Sequence, residues 1–200
     1  QVALNAMFEP GQIAHGVRIL ECVHAVSDTE VYRAVLPRGT QVALKCIRPD
    51  AAPFVPAALE HEYSVLKHIW KCARGCAPRP LAADFAPSHA HILIQWRVGR
   101  SAIDIVKDTR LSLQQRGAIV LRLLNAYANL HGAGTLHGDV HPLNLLFGRN
   151  QSVSVLDFGG AIVPALRTSE LRGRIGLLPF YEPEVARAVL LGKEVPLPSA

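Results

Sequence analysis

The chain has 200 residues, half of them hydrophobic, and a formal net charge of +5. That length holds one large domain or two small lobes, and the apolar content excludes a disordered chain. The basic residues are scattered with no run of five, which gives no tract for nucleic acid or a membrane surface. The four cysteines, Cys22, Cys46, Cys72 and Cys76, form no disulfide framework and read as reduced thiols of a cytoplasmic protein. No apolar stretch is long enough to span a bilayer, since "AIVLRLLNAYANL" is broken by Arg122 and Asn125. The first residue is Gln1, so the chain reads as a fragment.

In chain order, residues 17–34 carry two short apolar runs around "HAVSDTE", the pattern of strand, turn and strand. "QVALKCI", 41–47, predicts a third strand after the turn "PRGT". In "AALEHEYSVLKHIW", 57–70, Leu59, Tyr63, Leu66 and Ile69 recur at helical spacing. "HILIQW", 91–96, predicts another strand. The first hundred residues thus read as a small, mostly antiparallel sheet with one helix. The neighbourhood of Gly99 and Arg100 marks a boundary. Beyond it, 111–134 predicts a long amphipathic helix ended by glycines. Short strands follow at "LNLLF" and "SVSVLDF", Pro179 and Pro183 punctuate the segment near 180, and a short helix runs through "EVARAVLL".

The order of motifs resembles a Ser/Thr protein kinase domain, cut short at its C-terminal end. "VALK", 42–45, resembles the strand whose lysine holds nucleotide phosphates, which points to Lys45. "EYSVL", 62–66, resembles the helix whose glutamate fixes that lysine. Glu62 competes there with Glu60, and Leu66 one turn on favours Glu62. "ILIQWRVG", 92–99, resembles the linker whose backbone meets adenine, so the resemblance places Ile94, Gln95 and Arg97, with Val31, around the nucleotide base. "HGDVHPLN", 137–144, resembles the catalytic loop, with Asp139 accepting a hydroxyl proton and Asn144 binding metal. "DFG" puts Asp157 on Mg²⁺. "GLLPFYEPE", 176–184, resembles the end of the activation segment, with Glu184 as its anchor.

The resemblance implies an α+β, two-lobed kinase-like fold: a sheet lobe with one helix over 1–99 and a partial, mainly helical lobe over 100–200. It implies ATP and Mg²⁺ as cofactors, ATP lying between the lobes, and a protein or peptide substrate. Phosphoryl transfer needs such residues because positioning and charge neutralisation do most of the work. Departures from the pattern are also visible. The three expected phosphate-loop glycines fall on His24, Val26 and Thr29, and Asp28 near the tip would bring negative charge towards phosphates. Gly138 replaces an arginine that would receive a phosphate at Thr168 or Ser169. His141 replaces a lysine and also resembles small-molecule phosphotransferases. A binding module without catalysis, and a kinase acting on a small molecule or peptide natural product, therefore stand as alternatives. His137 reads as structural. His68, Cys72 and Cys76 share a helical spacing, but Gly75 interrupts it and no zinc site is expected.

Overall fold

The computed structural model describes residues 6–149, 152–166, 187–188 and 190–193. The fold is α+β, and the chain forms two compact units. One comprises Gln1–Lys71 and Ala77–Arg97, the other Cys72–Cys76 and Val98–Ala200.

The first unit is a curled six-stranded antiparallel sheet with one helix, an arrangement that fits a kinase small lobe. Its strands are β1 (Ile13–Ala14), β2 (Val17–Ala25), β3 (Thr29–Val35), β4 (Gln41–Ile47), β5 (Pro80–Asp84) and β6 (His91–Gln95), in the order β1-β2-β3-β4-β6-β5. Alternation decides the faces. Along β3, Glu30, Tyr32 and Ala34 are buried while Thr29, Val31, Arg33 and Val35 are half-buried. Tyr32 and Ala34 join Ile19, Val42, Leu44 and Leu93 in a core on one face, beneath Met7 and Phe8. The sequence contains no alternating apolar signal for β5. It is an edge strand with three of its five residues exposed, and an edge is where a strand tolerates a leading proline.

The helix α1 (Val55–Cys72) buries Leu59, Glu62, Val65, Leu66 and Ile69 on one stripe. Pro56 lies in its first turn, where the missing N–H costs nothing. A buried polar network, unmarked by any motif, ties Met7 and Arg48 to β3. Glu30 is fully buried and accepts hydrogen bonds from the Tyr32 hydroxyl, the Arg48 guanidinium and, at 2.9 Å, the Met7 N–H. A carboxylate withdrawn from water needs such partners. Burial and the Glu30 contact push the Tyr32 phenol well above its ordinary range.

The second unit contains α2 (Ala102–Lys107), α3 (Leu113–Gly132) and a three-stranded sheet of β7 (Arg100–Ser101), β8 (Leu145–Phe147) and β9 (Val153–Val155). Both helices begin at capping boxes: Ser101 with Asp104, and Ser112 with Gln115. Residues 72–76 belong with this unit because the Cys76 carbonyl accepts from the Val155 N–H at 2.7 Å. Arg187, Ala188 and Leu190 are helical, inside the short helix expected over 184–191. Thr168, Ser169 and the 176–184 stretch with Glu184 lie outside the described residues. No helix among the described residues is long and apolar enough to cross a membrane.

Candidate active site

In the first unit the strand register gathers the expected nucleotide-facing residues. Lys45 pairs with Val31 on one side and Ile92 on the other, and Ala43 pairs with Ile94. Directly opposed residues share a face, as do residues two apart. Val31, Ala43, Lys45 and Ile94 therefore stand on one face of the sheet, opposite the core of Tyr32 and Leu44. Ala43, inside the VALK run, joins this group: it pairs with Arg33 on one side and Ile94 on the other, two positions before the lysine.

Lys45 Nζ lies 2.7 Å from Glu62 Oε2, with the two side chains 15% and 4% exposed. The pair joins β4 to α1 and immobilises a long, flexible ammonium stem. Glu60 is exposed on another side of the helix. Gln95 differs from Ile94. It pairs with Val42, so its side chain falls on the opposite face from Lys45, and its N–H donates to the Arg79 carbonyl at 2.8 Å. Arg97 donates from its guanidinium to the Ala77 carbonyl at 3.0 Å, and burial lowers its pKa.

The hairpin between β2 and β3 closes tightly, with the Val26 N–H donating to the Thr29 carbonyl at 3.0 Å. At its tip the Asp28 side chain has fixed partners. The carboxylate accepts from the Ala52 N–H at 3.0 Å and from the Ser27 hydroxyl at 2.8 Å, while the Asp28 carbonyl takes the Arg48 N–H. The Ala52 N–H, followed by Ser27, holds the carboxyl below its usual range. Asp28 thus anchors the segment between β4 and α1.

The second unit assembles the polar loop. Leu136 and Ile162 exchange backbone hydrogen bonds at 2.9 and 2.7 Å, which sets residues 137–144 beside 157–161. His137 is buried: its Nε2 bonds the Leu156 carbonyl at 2.8 Å, its ring meets Phe158 edge-on, and the Asp139 N–H donates to its Nδ1 at 3.3 Å. Desolvation lowers the pKa of this imidazole. The Leu156 N–H donates to the Asn144 carbonyl at 2.8 Å, so both backbone groups before Asp157 are fixed to the loop. Asp157 itself has φ +59°, a left-handed conformation that aspartate tolerates better than most residues. Asn144 is buried in the short 3-10 turn Pro142–Asn144, and its Nδ2 donates to both the carbonyl and Oδ2 of Asp139, each at 3.0 Å.

Gly138 explains one departure from the kinase pattern. Its φ is +78°, and a Cβ placed there would come within 2.1 Å of the Gly160 carbonyl oxygen. No side chain fits, so the absent arginine and the close backbone approach of Gly160 go together. Gly160 carried no signal in the sequence beyond its place after "DFG".

The donor set suits a hard divalent cation. Asn144 spends its amide nitrogen on Asp139, so its side-chain oxygen is the atom those bonds leave for a ligand, and Asp157 offers an exposed carboxylate nearby in sequence. The described residues contain no group of three or more His, Cys, Asp or Glu that could hold a metal alone. Mg²⁺ needs none, because it takes one or two carboxylates and completes its shell with phosphates and water.

No family model matches the chain. It is similar to Ser/Thr protein kinases among curated proteins. CBL-interacting serine/threonine-protein kinase 24 of Arabidopsis thaliana is 32% identical over 101 residues, which is 50% of this chain and 23% of that protein. Serine/threonine-protein kinase PAK 4 of Mus musculus is 27% identical over 52% of this chain and 18% of its own length. Calcium/calmodulin-dependent protein kinase type 1B of Rattus norvegicus is 29% identical over 162 residues, 77% of this chain and 45% of its own. The chain thus spans less than half the length of each of these relatives. With the sheet unit and its lysine–glutamate pair, these matches give a kinase-like α+β domain.

Proposed function

We propose that this chain binds ATP with Mg²⁺ and transfers the γ-phosphoryl group to the hydroxyl of a protein Ser or Thr. The observation that carries the reading is the buried Lys45–Glu62 pair, which fixes an ammonium group on the same sheet face as Val31 and Ile94. Lys45 would hold the nucleotide phosphates, and Glu62 would hold Lys45. Val31, Ala43 and Ile94 would line the base, with Gln95 and Arg97 contributing backbone only. Asn144 and Asp157 would hold Mg²⁺, which when bound neutralises charge on the phosphates.

Asp139 would orient the acceptor and take its proton. The hydroxyl oxygen forms a bond to the γ-phosphorus, the bond from that phosphorus to the β–γ bridging oxygen breaks with its electron pair leaving on ADP, and the hydroxyl proton passes to the Asp139 carboxylate. The test is Mg²⁺-dependent ATP binding and γ-phosphoryl transfer by the full chain, beside Asp157→Asn and Asp139→Ala. Weaker binding in the first and lost transfer in the second are expected. Wild-type transfer by Asp139→Ala overturns the assignment.

The tight hairpin at Val26 and Thr29 favours a second reading, a nucleotide-binding or scaffold module without turnover. A glycine-free turn closed by its own backbone bond offers few N–H groups to phosphates. Binding of ATP with no transfer to any acceptor would select it.

A further inference from the structure

The phosphoryl-transfer reading gives no role to His141, and its surroundings fix its chemistry. It caps the 3-10 turn, with the Leu143 N–H donating to its Nδ1 at 3.2 Å. A ring nitrogen that accepts carries no proton, so in the neutral imidazole the proton sits on Nε2. That Nε2 lies 3.3 Å from Asp139 Oδ2, and both side chains are close to nine-tenths buried, at 13% and 12% exposed. Asn144 Nδ2 reaches the same Oδ2 at 3.0 Å. The other oxygen, Asp139 Oδ1, is buried and has no hydrogen-bond partner among the described residues. The carboxylate is therefore asymmetric: Oδ2 takes a hydrogen bond from Asn144 with His141 Nε2 beside it, and Oδ1 has no donor among the described residues. A desolvated carboxylate oxygen without a donor is costly, so the arrangement suits one that receives a donor from outside.

We propose that His141 is a positioning residue. Its Nε2–H, with Asn144, locks Oδ2 of Asp139, so that Oδ1 is the oxygen that receives the acceptor's hydroxyl proton. This rests on the phosphoryl-transfer reading above. A lysine in this position carries only donors and cannot accept from the Leu143 N–H. Histidine caps the turn with one nitrogen and brings the other to 3.3 Å from Asp139 Oδ2, beside a base already fastened at its N–H by His137 and at its carbonyl and Oδ2 by Asn144. The same tautomer follows for His137, whose Nδ1 accepts the Asp139 N–H.

Two measurements on the full chain test this. Side-chain ¹⁵N NMR of the ligand-free protein should show His141 as the Nε2–H tautomer with slowed proton exchange, and Asp139→Ala should speed that exchange. Steady-state transfer to casein, to the chain itself and to water is then compared with Mg²⁺·ATP affinity. His141→Asn keeps an acceptor for the Leu143 N–H but ends short of Asp139. It should lower kcat roughly ten- to hundredfold, the range for a misplaced catalytic group, with ATP affinity unchanged. His141→Gln, whose amide reaches further, should recover part of the loss. A His141 ring protonated on Nδ1, or wild-type kcat in His141→Asn, overturns the proposal. A wild type that shows the Nε2–H signature yet transfers no phosphate overturns the phosphoryl-transfer reading instead, and leaves the His141–Asp139 contact standing.

Discussion

Replacing Glu62 with glutamine keeps the shape of the side chain and removes its charge from beside Lys45. At the 2.7 Å separation of Nζ and Oε2, two unit charges at an effective dielectric near 20 attract by about 6 kcal/mol. Much of that is offset by the desolvation of both groups, whose side chains are 15% and 4% exposed. The variant does not recover the desolvation of Lys45, which stays where it is beside a neutral amide. Removing one partner of a buried pair costs about 3–5 kcal/mol, and the exposure of Lys45 places Glu62→Gln near the lower end. Urea unfolding of wild type, Glu62→Gln, Lys45→Met and the double variant gives the coupling directly. The expected result is a loss of about 3 kcal/mol for Glu62→Gln and a double variant more stable than the sum of the two single losses. A loss under about 0.5 kcal/mol, or strict additivity, refutes the reasoning. The pair would then behave like a surface ion pair, and the role proposed for Lys45 in holding phosphate would fall with it.

Three further outcomes follow from the geometry. Gly138→Ala forces a Cβ to within 2.1 Å of the Gly160 carbonyl at φ +78°. It should cost at least the roughly 1–2 kcal/mol of a left-handed non-glycine residue, read as a lower urea midpoint, and Gly138→Arg should restore nothing. Ser112→Ala removes the acceptor for the Gln115 N–H at the start of α3. About 1 kcal/mol should be lost, whereas Ser112→Asp should hold the wild-type midpoint. His15 has its pKa lowered by burial first and then by His91 and His89, whose positive charge it would face if protonated. Its neutral form is the folded form, so its contribution is intact above the unfolded value of about 6.5 and is lost as pH falls through its depressed folded value. Stability should therefore drop between pH 7 and 5, with buried His137 adding to the slope, and His15→Gln should flatten it. An unchanged slope in that variant removes His15 from the account.

Local pattern was enough for the elements that carry their own signal. The 17–34 hairpin, the 41–47 strand and the long helices follow from alternation, helical spacing and terminal glycines, and the structure has them as β2–β3, β4, α1 and α3. The edge strand β5 and the short α2 stayed hidden, because one is mostly exposed and the other buries no residue. The candidate site divides in the same way. The types and order of Lys45, Glu62, Asp139, Asn144 and Asp157 are visible in the chain, because the chemistry of phosphate and metal demands particular side chains.

What pairs with what was decided by tertiary structure. The sheet register set Lys45 between Val31 and Ile92, put Ala43 beside Ile94 on the same face, and turned Gln95 to the other face. The segment after β4 captured Asp28, and Glu30 became a buried hub for Met7, Tyr32 and Arg48. Gly138 reads in the sequence as a missing arginine, and in the structure as the residue that lets Gly160 approach. The physical reason is common to all of these. Periodicity and side-chain chemistry act within a few residues of the chain. Burial, close backbone approach and the choice of hydrogen-bond partner depend on segments tens of residues apart that only folding brings together.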